Sequence, residues 1–231
     1  MTETDVPSPA SLAAFAAQRT TMVDSQVRPS DISDRRIIRA MGSVPREAFV
    51  PAHLRAIAYM DNPVALLRGP RPRFLMEPRL LAKLVQLAGI PDGGRVLEIG
   101  SGSGYGVAVL ASMGCKAVGV EESTELVAMA AGAMAVAEIT TAVVKAAPLN
   151  AGLVSDGPYD AIILAGSVPE VPPALFDQLK AGGRLVAVVG KGAGAKATVW
   201  VRSAKTFAAR EAFDASAAPL PGFDQAAQFV L

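Results

Sequence analysis

The apolar positions follow a helical period in the first quarter of the chain. Apolar side chains recur three or four residues apart over residues 11–28 and again over residues 33–41. No strand-like alternation occurs in this section. We therefore predict an N-terminal helical cap over residues 11–60, preceded by a disordered tail over residues 1–10.

A proline-rich segment interrupts this pattern. Residues 61–78 contain four prolines and one glycine, which predict a long connection without regular secondary structure. An amphipathic helix is predicted next, over residues 79–90. Connections of this length are uncommon inside compact domains unless they have a function. We therefore expect the segment to contribute to a functional site.

From residue 94 onward, apolar runs typical of buried parallel strands alternate with helical stretches. The predicted strands are 95–100, 116–121, 141–146, 159–166 and 184–190, with a helix over 172–183 and an antiparallel hairpin over 197–211. Alternating strands and helices indicate an α/β fold with a mostly parallel sheet and helices on both faces. Such sheets bind ligands at the carboxyl ends of their strands. We assign residues 79–231 to this domain.

Composition narrows the classes of function. The formal net charge of +1 gives no general attraction to nucleic acid or to an anionic membrane, and we expect neither as a partner. The single cysteine, Cys115, excludes an internal disulfide and a cysteine-rich zinc site, and no metal site is predicted. The acidic N-terminus differs from a signal peptide, and no apolar run is long enough to span a bilayer. We expect a soluble cytoplasmic protein.

Four glycines fall on alternate positions after the first strand of this α/β pattern. They are Gly100, Gly102, Gly104 and Gly106, in the stretch RVLEIGSGSGYG. A dinucleotide fingerprint needs glycines at positions one, three and six, and position six is not glycine in either register. A nicotinamide-dependent oxidoreductase is therefore disfavoured.

Two acidic residues flank the glycine loop. Glu98 precedes it by two residues, and Glu121 ends the next predicted strand. A carboxylate beside the loop suits a ligand with a positive amino group better than a pyrophosphate, and an acid at the second strand end accepts hydrogen bonds from ribose hydroxyls. Either residue alone could be structural, but the pair favours S-adenosylmethionine, which carries both groups. The predicted cofactor-binding residues are Glu98, Gly100, Ser101, Gly102, Ser103, Gly104, Tyr105 and Glu121.

Longer motifs surround this loop. VLEIGSGSGYGVAVLA, AVGVEE, GPYDAIILAGSVPEVPPALFDQLKAGGRLVAVVG and, near the N-terminus, MVDSQVRPSDISDRRIIRAMGSVPREAFVP resemble the corresponding segments of the protein-L-isoaspartate O-methyltransferases over residues 22–190. The glycine motif is general to class I methyltransferases, whereas VPREAFVP and GPYDAIILAG are more particular. The resemblance implies a Rossmann-like class I methyltransferase fold, a role in protein repair, and S-adenosylmethionine as methyl donor at Glu98, the 100–104 loop and Glu121.

The chain departs from the family pattern on the acceptor side. Where the family carries TISQP, with its serine treated as the active-site residue, residues 74–78 read FLMEP, so Met76 takes the serine position. Where the family carries Gly-Asp-Gly, residues 146–148 are Ala-Ala-Pro. No catalytic residue is therefore assigned. The candidate acceptor-side residues are Arg71, Arg73 and Glu77.

The chemistry itself tolerates these losses. A carboxylate acceptor is already ionised at pH 7 and needs no general base, so positioning supplies most of the rate. We therefore expect an O-methyltransferase acting on a carboxylate of a protein or a small molecule. Methylation of isoaspartyl peptides should be weak or absent, because the hydroxyls that would orient that carboxylate are replaced. A small-molecule methyltransferase and a non-catalytic protein that keeps the S-adenosylmethionine site for binding or interaction stay open as alternatives.

Overall fold

The computed structural model describes residues 8–204 and 206–223. It begins with helix α1 (Pro9–Met22), capped by Ser8, whose Oγ accepts a hydrogen bond from Ser11 N. Helix α1 continues into a π-helical turn and a 3₁₀ turn, and helix α2 (Arg35–Ser43) and two further 3₁₀ turns complete the front section. The front section is helical, as the periodicity predicted. Of the predicted disordered tail, residues 9–10 form the first turn of α1, whereas residues 1–7 lie outside the described residues.

The proline-rich segment contains regular structure, so the prediction of an irregular connection was wrong. Strands β1 (Val64–Leu67) and β2 (Arg73–Leu75) form an antiparallel hairpin. The prolines lie outside both strands, where they remove no ladder hydrogen bond. Alternate side chains, among them Leu66 and Leu75, are buried. This local alternation outweighs the turn-forming residues between the strands.

The main sheet has seven strands in the order β5-β4-β3-β6-β7-β8-β9. They are β3 (Arg95–Ile99), β4 (Lys116–Glu121), β5 (Val143–Ala146), β6 (Tyr159–Val168), β7 (Leu179–Val189), β8 (Lys196–Arg202) and β9 (Phe207–Asp214). Strands β3 to β7 are parallel to one another. Strands β8 and β9 extend the sheet beside β7 as an antiparallel hairpin. This confirms the predicted α/β fold with its mostly parallel sheet and antiparallel finish.

Helices cover both faces of the sheet. They are α3 (Pro78–Ala88), α4 (Tyr105–Ser112), α5 (Thr124–Val136) and the short α6 (Pro173–Phe176). The predicted helix over residues 172–183 is thus only four residues long. It ends early because Tyr159 N donates to Gln178 O at 2.8 Å, which draws the chain into β7.

Two apolar cores lie on opposite faces of the sheet. Val96 belongs to one core, whereas Leu97 and Ile99 of the same strand belong to the other. The first core also contains Ile37 and Met41 of the helical cap, and α2 packs against α4. The cap therefore shares a core with the α/β domain and is held beside the glycine loop. Within residues 8–204 and 206–223, no helix combines the length and apolarity needed to cross a bilayer.

Candidate functional site

The glycine loop joins β3 to α4 at the carboxyl edge of the parallel strands. Gly100, Gly102 and Gly104 have φ angles of 76°, 56° and 86°, a region that L side chains rarely adopt. The loop is tied to the neighbouring strand because Gly100 N and Ser101 N both donate to Val120 O, at 2.9 and 3.1 Å. The glycines are therefore required by the backbone turn itself.

Glu98 lies inside this turn. Only 2% of the residue is exposed, and its Oε2 has no hydrogen-bond partner among the described residues. Burial raises the pKa of the Glu98 carboxyl to about 8, and the Val107 N–H opposes that shift. The carboxyl is packed against the first turn of α4, so the structure places Glu98 within the loop rather than on its exposed side.

Glu121 ends β4 beside the loop and is fully buried. Its Oε2 accepts hydrogen bonds from Gly102 N at 2.8 Å and from Arg73 Nη2 at 2.6 Å. Its Oε1 accepts from Glu122 N at 3.0 Å and from Ser123 N at 3.3 Å. The structure thus brings the second predicted carboxylate into direct contact with the glycine loop.

Arg73 was predicted as an acceptor-side residue, but its guanidinium lies at the glycine loop. Nη2 donates to Gly100 O at 2.9 Å as well as to Glu121, and Arg73 is only 5% exposed. Its Nε is buried without a hydrogen-bond partner among the described residues. Strand β2 carries Arg73 to this place, and that strand was not predicted.

Two leucines also cover the loop, and sequence reasoning did not find them. A Cβ built at Gly102 would lie 2.8 Å from Leu66 Cδ1, and one at Gly100 would lie 2.5 Å from Leu220 Cδ2. Leu220 is held there because its N–H donates to Ser167 O at 2.9 Å. No local sequence signal marks Leu220, since it lies about 120 residues beyond the loop.

Two clefts lie on either side of this cover. One has a volume of about 380 Å³ and is lined by Leu67, Arg71, Arg73, Glu121, Glu122 and Ser123. The other has a volume of about 290 Å³, and Ser167, Lys191 and Leu220 are among its lining residues. Arg73 Nη2 and Leu220 Cδ2 lie 3.2 and 2.5 Å from the Cβ position built at Gly100, so both side chains lie over this glycine.

The remaining acceptor-side candidates lie apart from the loop. Arg71 is exposed and 3.6 Å from Glu122. Glu77 precedes α3, and burial raises the pKa of its carboxyl. Met76 is buried, and its carbonyl oxygen accepts a hydrogen bond from Arg46 Nη2 at 2.7 Å. Of the three predicted acceptor-side residues, only Arg73 contacts the glycine loop.

Arg46 is a site residue that sequence reasoning missed. It is fully buried, and its guanidinium carbon lies 4.7 Å from the ring centroid of Tyr105, the first residue of α4. Its Nε donates to Ala58 O at 2.6 Å. Together with its bond to Met76 O, these contacts tie the cap, the acceptor-side segment and α4 together. Its only sequence signal is its place in the VPREAFVP motif.

Comparison with known proteins identifies the family. Residues 17–215 match the sequence model described as Protein-L-isoaspartate(D-aspartate) O-methyltransferase (PCMT). A protein-L-isoaspartate O-methyltransferase of Koribacter versatilis is 36% identical over 179 residues, which are 78% of this chain and 79% of that protein. Protein-L-isoaspartate O-methyltransferase 2 of Marinobacter nauticus is 41% identical over 172 residues, 74% of this chain and 77% of that protein.

The chain belongs to the protein-L-isoaspartate(D-aspartate) O-methyltransferase family.

Solved structures show the same fold. A protein-L-isoaspartate O-methyltransferase superposes with a TM-score of 0.78 at 24% identity, over 89% of this chain and 67% of that chain. A beta-aspartate methyltransferase from Plasmodium falciparum, in complex with S-adenosyl-L-homocysteine, superposes with a TM-score of 0.73 at 21% identity, over 88% of this chain and 98% of that chain. The chain therefore has the class I methyltransferase fold of these two structures.

The chain has the glycine loop, and two positions beside it depart from the predicted family pattern. Met76, at the predicted position of the family's serine, has a buried thioether side chain, which carries no hydroxyl donor. Ala147, at the predicted position of the family's aspartate, donates its N–H to Glu121 O at 3.1 Å and packs against the second apolar core. The strand ends and the glycine turn are present, and the side chains of Met76 and Ala147 offer neither a hydroxyl nor a carboxylate.

Proposed function

We propose that the protein is an S-adenosylmethionine-dependent O-methyltransferase that esterifies the carboxylate of an isoaspartyl residue in a protein. The observation that carries this proposal is the contact between Glu121 Oε2 and Gly102 N at 2.8 Å. It joins the strand-end carboxylate to the glycine loop in a chain that matches the family over residues 17–215.

The donor set fits S-adenosylmethionine in its chemistry. Glu121 supplies carboxylate oxygens of the kind that accept hydrogen bonds from ribose hydroxyls. The loop glycines have positive φ angles and carry no side chains of their own that would cover the backbone, and the N-terminus of α4 follows the loop. In space, Arg73 and Leu220 lie over the same loop, so binding requires these two side chains to move.

The proposed methyl transfer does not need a general base in the protein. Bound S-adenosylmethionine supplies an electrophilic methyl group on a sulfonium. The acceptor carboxylate is ionised at neutral pH, so the chain has to bind and orient it, exclude water, and does not have to remove a proton. This agrees with the single histidine of the chain, His53, lying in the cap rather than at the loop.

The proposed acceptor follows from the family. The matched relatives carry the name protein-L-isoaspartate O-methyltransferase, and a protein acceptor suits the exposed position of the segment around Arg71. Because Met76 replaces the family's serine, one hydrogen bond to the acceptor carboxylate is lost. We therefore propose slow transfer to isoaspartyl residues rather than a different reaction.

Calorimetry with S-adenosylhomocysteine and with NAD tests the cofactor part of the proposal. The parent should bind S-adenosylhomocysteine and not NAD. Glu121→Ala should bind it about tenfold or more weakly, because it loses a charge-assisted acceptor. Glu125→Ala, at an exposed glutamate of α5, serves as the control and should bind like the parent. Binding of NAD alone, or an unchanged affinity in Glu121→Ala, would overturn the assignment.

A further inference from the structure

The buried ion pair between Arg73 and Glu121 uses the same carboxylate that the proposed cofactor needs. The side chains of Arg73 and Glu121 are 5% and 0% exposed, and Nη2 and Oε2 are 2.6 Å apart. A carboxylate offers about four acceptor positions, two on each oxygen. Arg73 Nη2 and Gly102 N fill those of Oε2, and two backbone N–H groups fill those of Oε1. No position is left for a ribose hydroxyl.

Arg73 also occupies the loop itself. Nη2 lies 3.2 Å from the Cβ position built at Gly100 and donates to Gly100 O at 2.9 Å. A ligand approaching the backbone of the loop would meet this nitrogen before it reached Gly100. The guanidinium therefore blocks both the hydroxyl-binding carboxylate and the space above the turn.

We infer that Arg73 competes with the cofactor for Glu121: its guanidinium must leave this carboxylate before a nucleoside can bind there. The inference rests on the proposed function, and it adds a residue that sets cofactor affinity. It also links the two halves of the site, because β2, which carries Arg73, leads directly into Met76 and Glu77.

The pair is built so that it can open. Both bonds from Arg73 use one nitrogen, Nη2, and Nε is buried without a partner among the described residues. The closed arrangement thus leaves a charged donor unsatisfied, which costs stability. Glu122 follows Glu121 in the chain, and its side chain is 29% exposed. Its Oε1 lies 3.6 Å from Arg71 Nη1. Once the Arg73 guanidinium leaves Glu121, the Glu122 carboxylate offers it a partner close to solvent.

Removing the competitor should therefore strengthen binding. Arg73→Ala should bind S-adenosylhomocysteine about tenfold or more tightly than the parent, because ligand no longer has to break a charge-assisted hydrogen bond. The unliganded variant should melt at a lower temperature, because a buried carboxylate has lost its partner, and ligand should restore much of that loss. Arg68→Ala, the same change at an exposed arginine of the same segment, should bind like the parent.

Calorimetry on the parent, Arg73→Ala, Arg73→Gln and Arg68→Ala decides the inference. Tighter binding by either Arg73 variant supports it. Equal or weaker binding by the Arg73 variants, with clear binding by the parent, overturns it and leaves the proposed function standing. Absence of binding by every protein overturns the proposed function and the inference together.

A measurement on the parent alone covers the case in which both Arg73 variants fail to fold. Saturating S-adenosylhomocysteine should speed amide hydrogen exchange in the peptide over residues 68–75, because Arg73 no longer anchors it. Unchanged or slower exchange there would contradict the inference.

Discussion

Glu98 and Gly106 are packed so closely that no side chain fits between them. A Cβ built at Gly106 would lie 1.8 Å from Glu98 Oε1 and 2.6 Å from its Cδ. Gly106 lies in α4 and has no positive φ among the backbone angles of the described residues. Gly106 is therefore required because a side chain there would clash with the Glu98 carboxyl. The three earlier glycines of the motif are required by the backbone angles of the turn.

Gly106→Ala should destabilise the protein by about 2 kcal/mol or more, because the added methyl group forces Glu98 out of a packed site. Gly132→Ala provides the matched control. Gly132 is an exposed residue of α5 and has no atom within 4 Å of its Cβ position, so the same change there should be neutral or stabilising by up to about 1 kcal/mol. Urea denaturation of the two variants measures both effects. Equal stability of the two variants would contradict this account of Gly106.

Glu98→Gln should remove a pH dependence from the stability. The carboxyl has a pKa of about 8 when folded, against an ordinary value of 4.5. The folded state therefore holds this proton more tightly than the unfolded state, and its contribution to stability falls as pH rises from about 4.5 to about 8. The side-chain amide of Glu98→Gln does not ionise, so the stability of the variant lacks this pH dependence.

The free energy of unfolding should thus be similar for the parent and Glu98→Gln near the lower limit of that window. Near the upper limit, the variant should be more stable by on the order of a few kcal/mol. Denaturation at several pH values gives the difference directly. A difference that stays constant with pH would show that Glu98 does not titrate in this range.

Met76→Ser should raise kcat/KM for an isoaspartyl peptide by up to about tenfold, because it restores a hydroxyl at the family position and one neutral hydrogen bond contributes about that much. It should also lower stability, since Met76 is 8% exposed and loses apolar contacts. Met60→Ser, at a methionine that is 50% exposed, is the control and should leave the rate unchanged. A rate for Met76→Ser no higher than that of the parent would mean that this position does not orient the acceptor.

The predicted parts of the fold are those with local sequence signals. The parallel strands follow from continuous apolar runs, and the turn before α4 follows from the spacing of Gly100, Gly102 and Gly104. The short hairpin β1–β2 was missed because its strands have only four and three residues among four prolines. Strands of that length form through packing rather than through propensity.

The composition of the site depends on contacts that no local pattern encodes. Arg73 reaches Glu121 across 48 positions of sequence, and it does so only because β2 turns it inward. Leu220 reaches Gly100 from the far end of the described chain. The sequence could identify which strand ends meet at the glycine loop, but it could not show which side chains cover them.

Transfer of labelled methyl groups from S-adenosylmethionine to an isoaspartyl peptide tests the central claim most directly. The matched peptide with a normal aspartyl residue is the control, and base-labile release of labelled methanol identifies a methyl ester. We expect slow transfer by the parent to the isoaspartyl peptide and none to the aspartyl peptide. Equal label in the two peptides, or no base-labile label in either, would contradict the proposed activity.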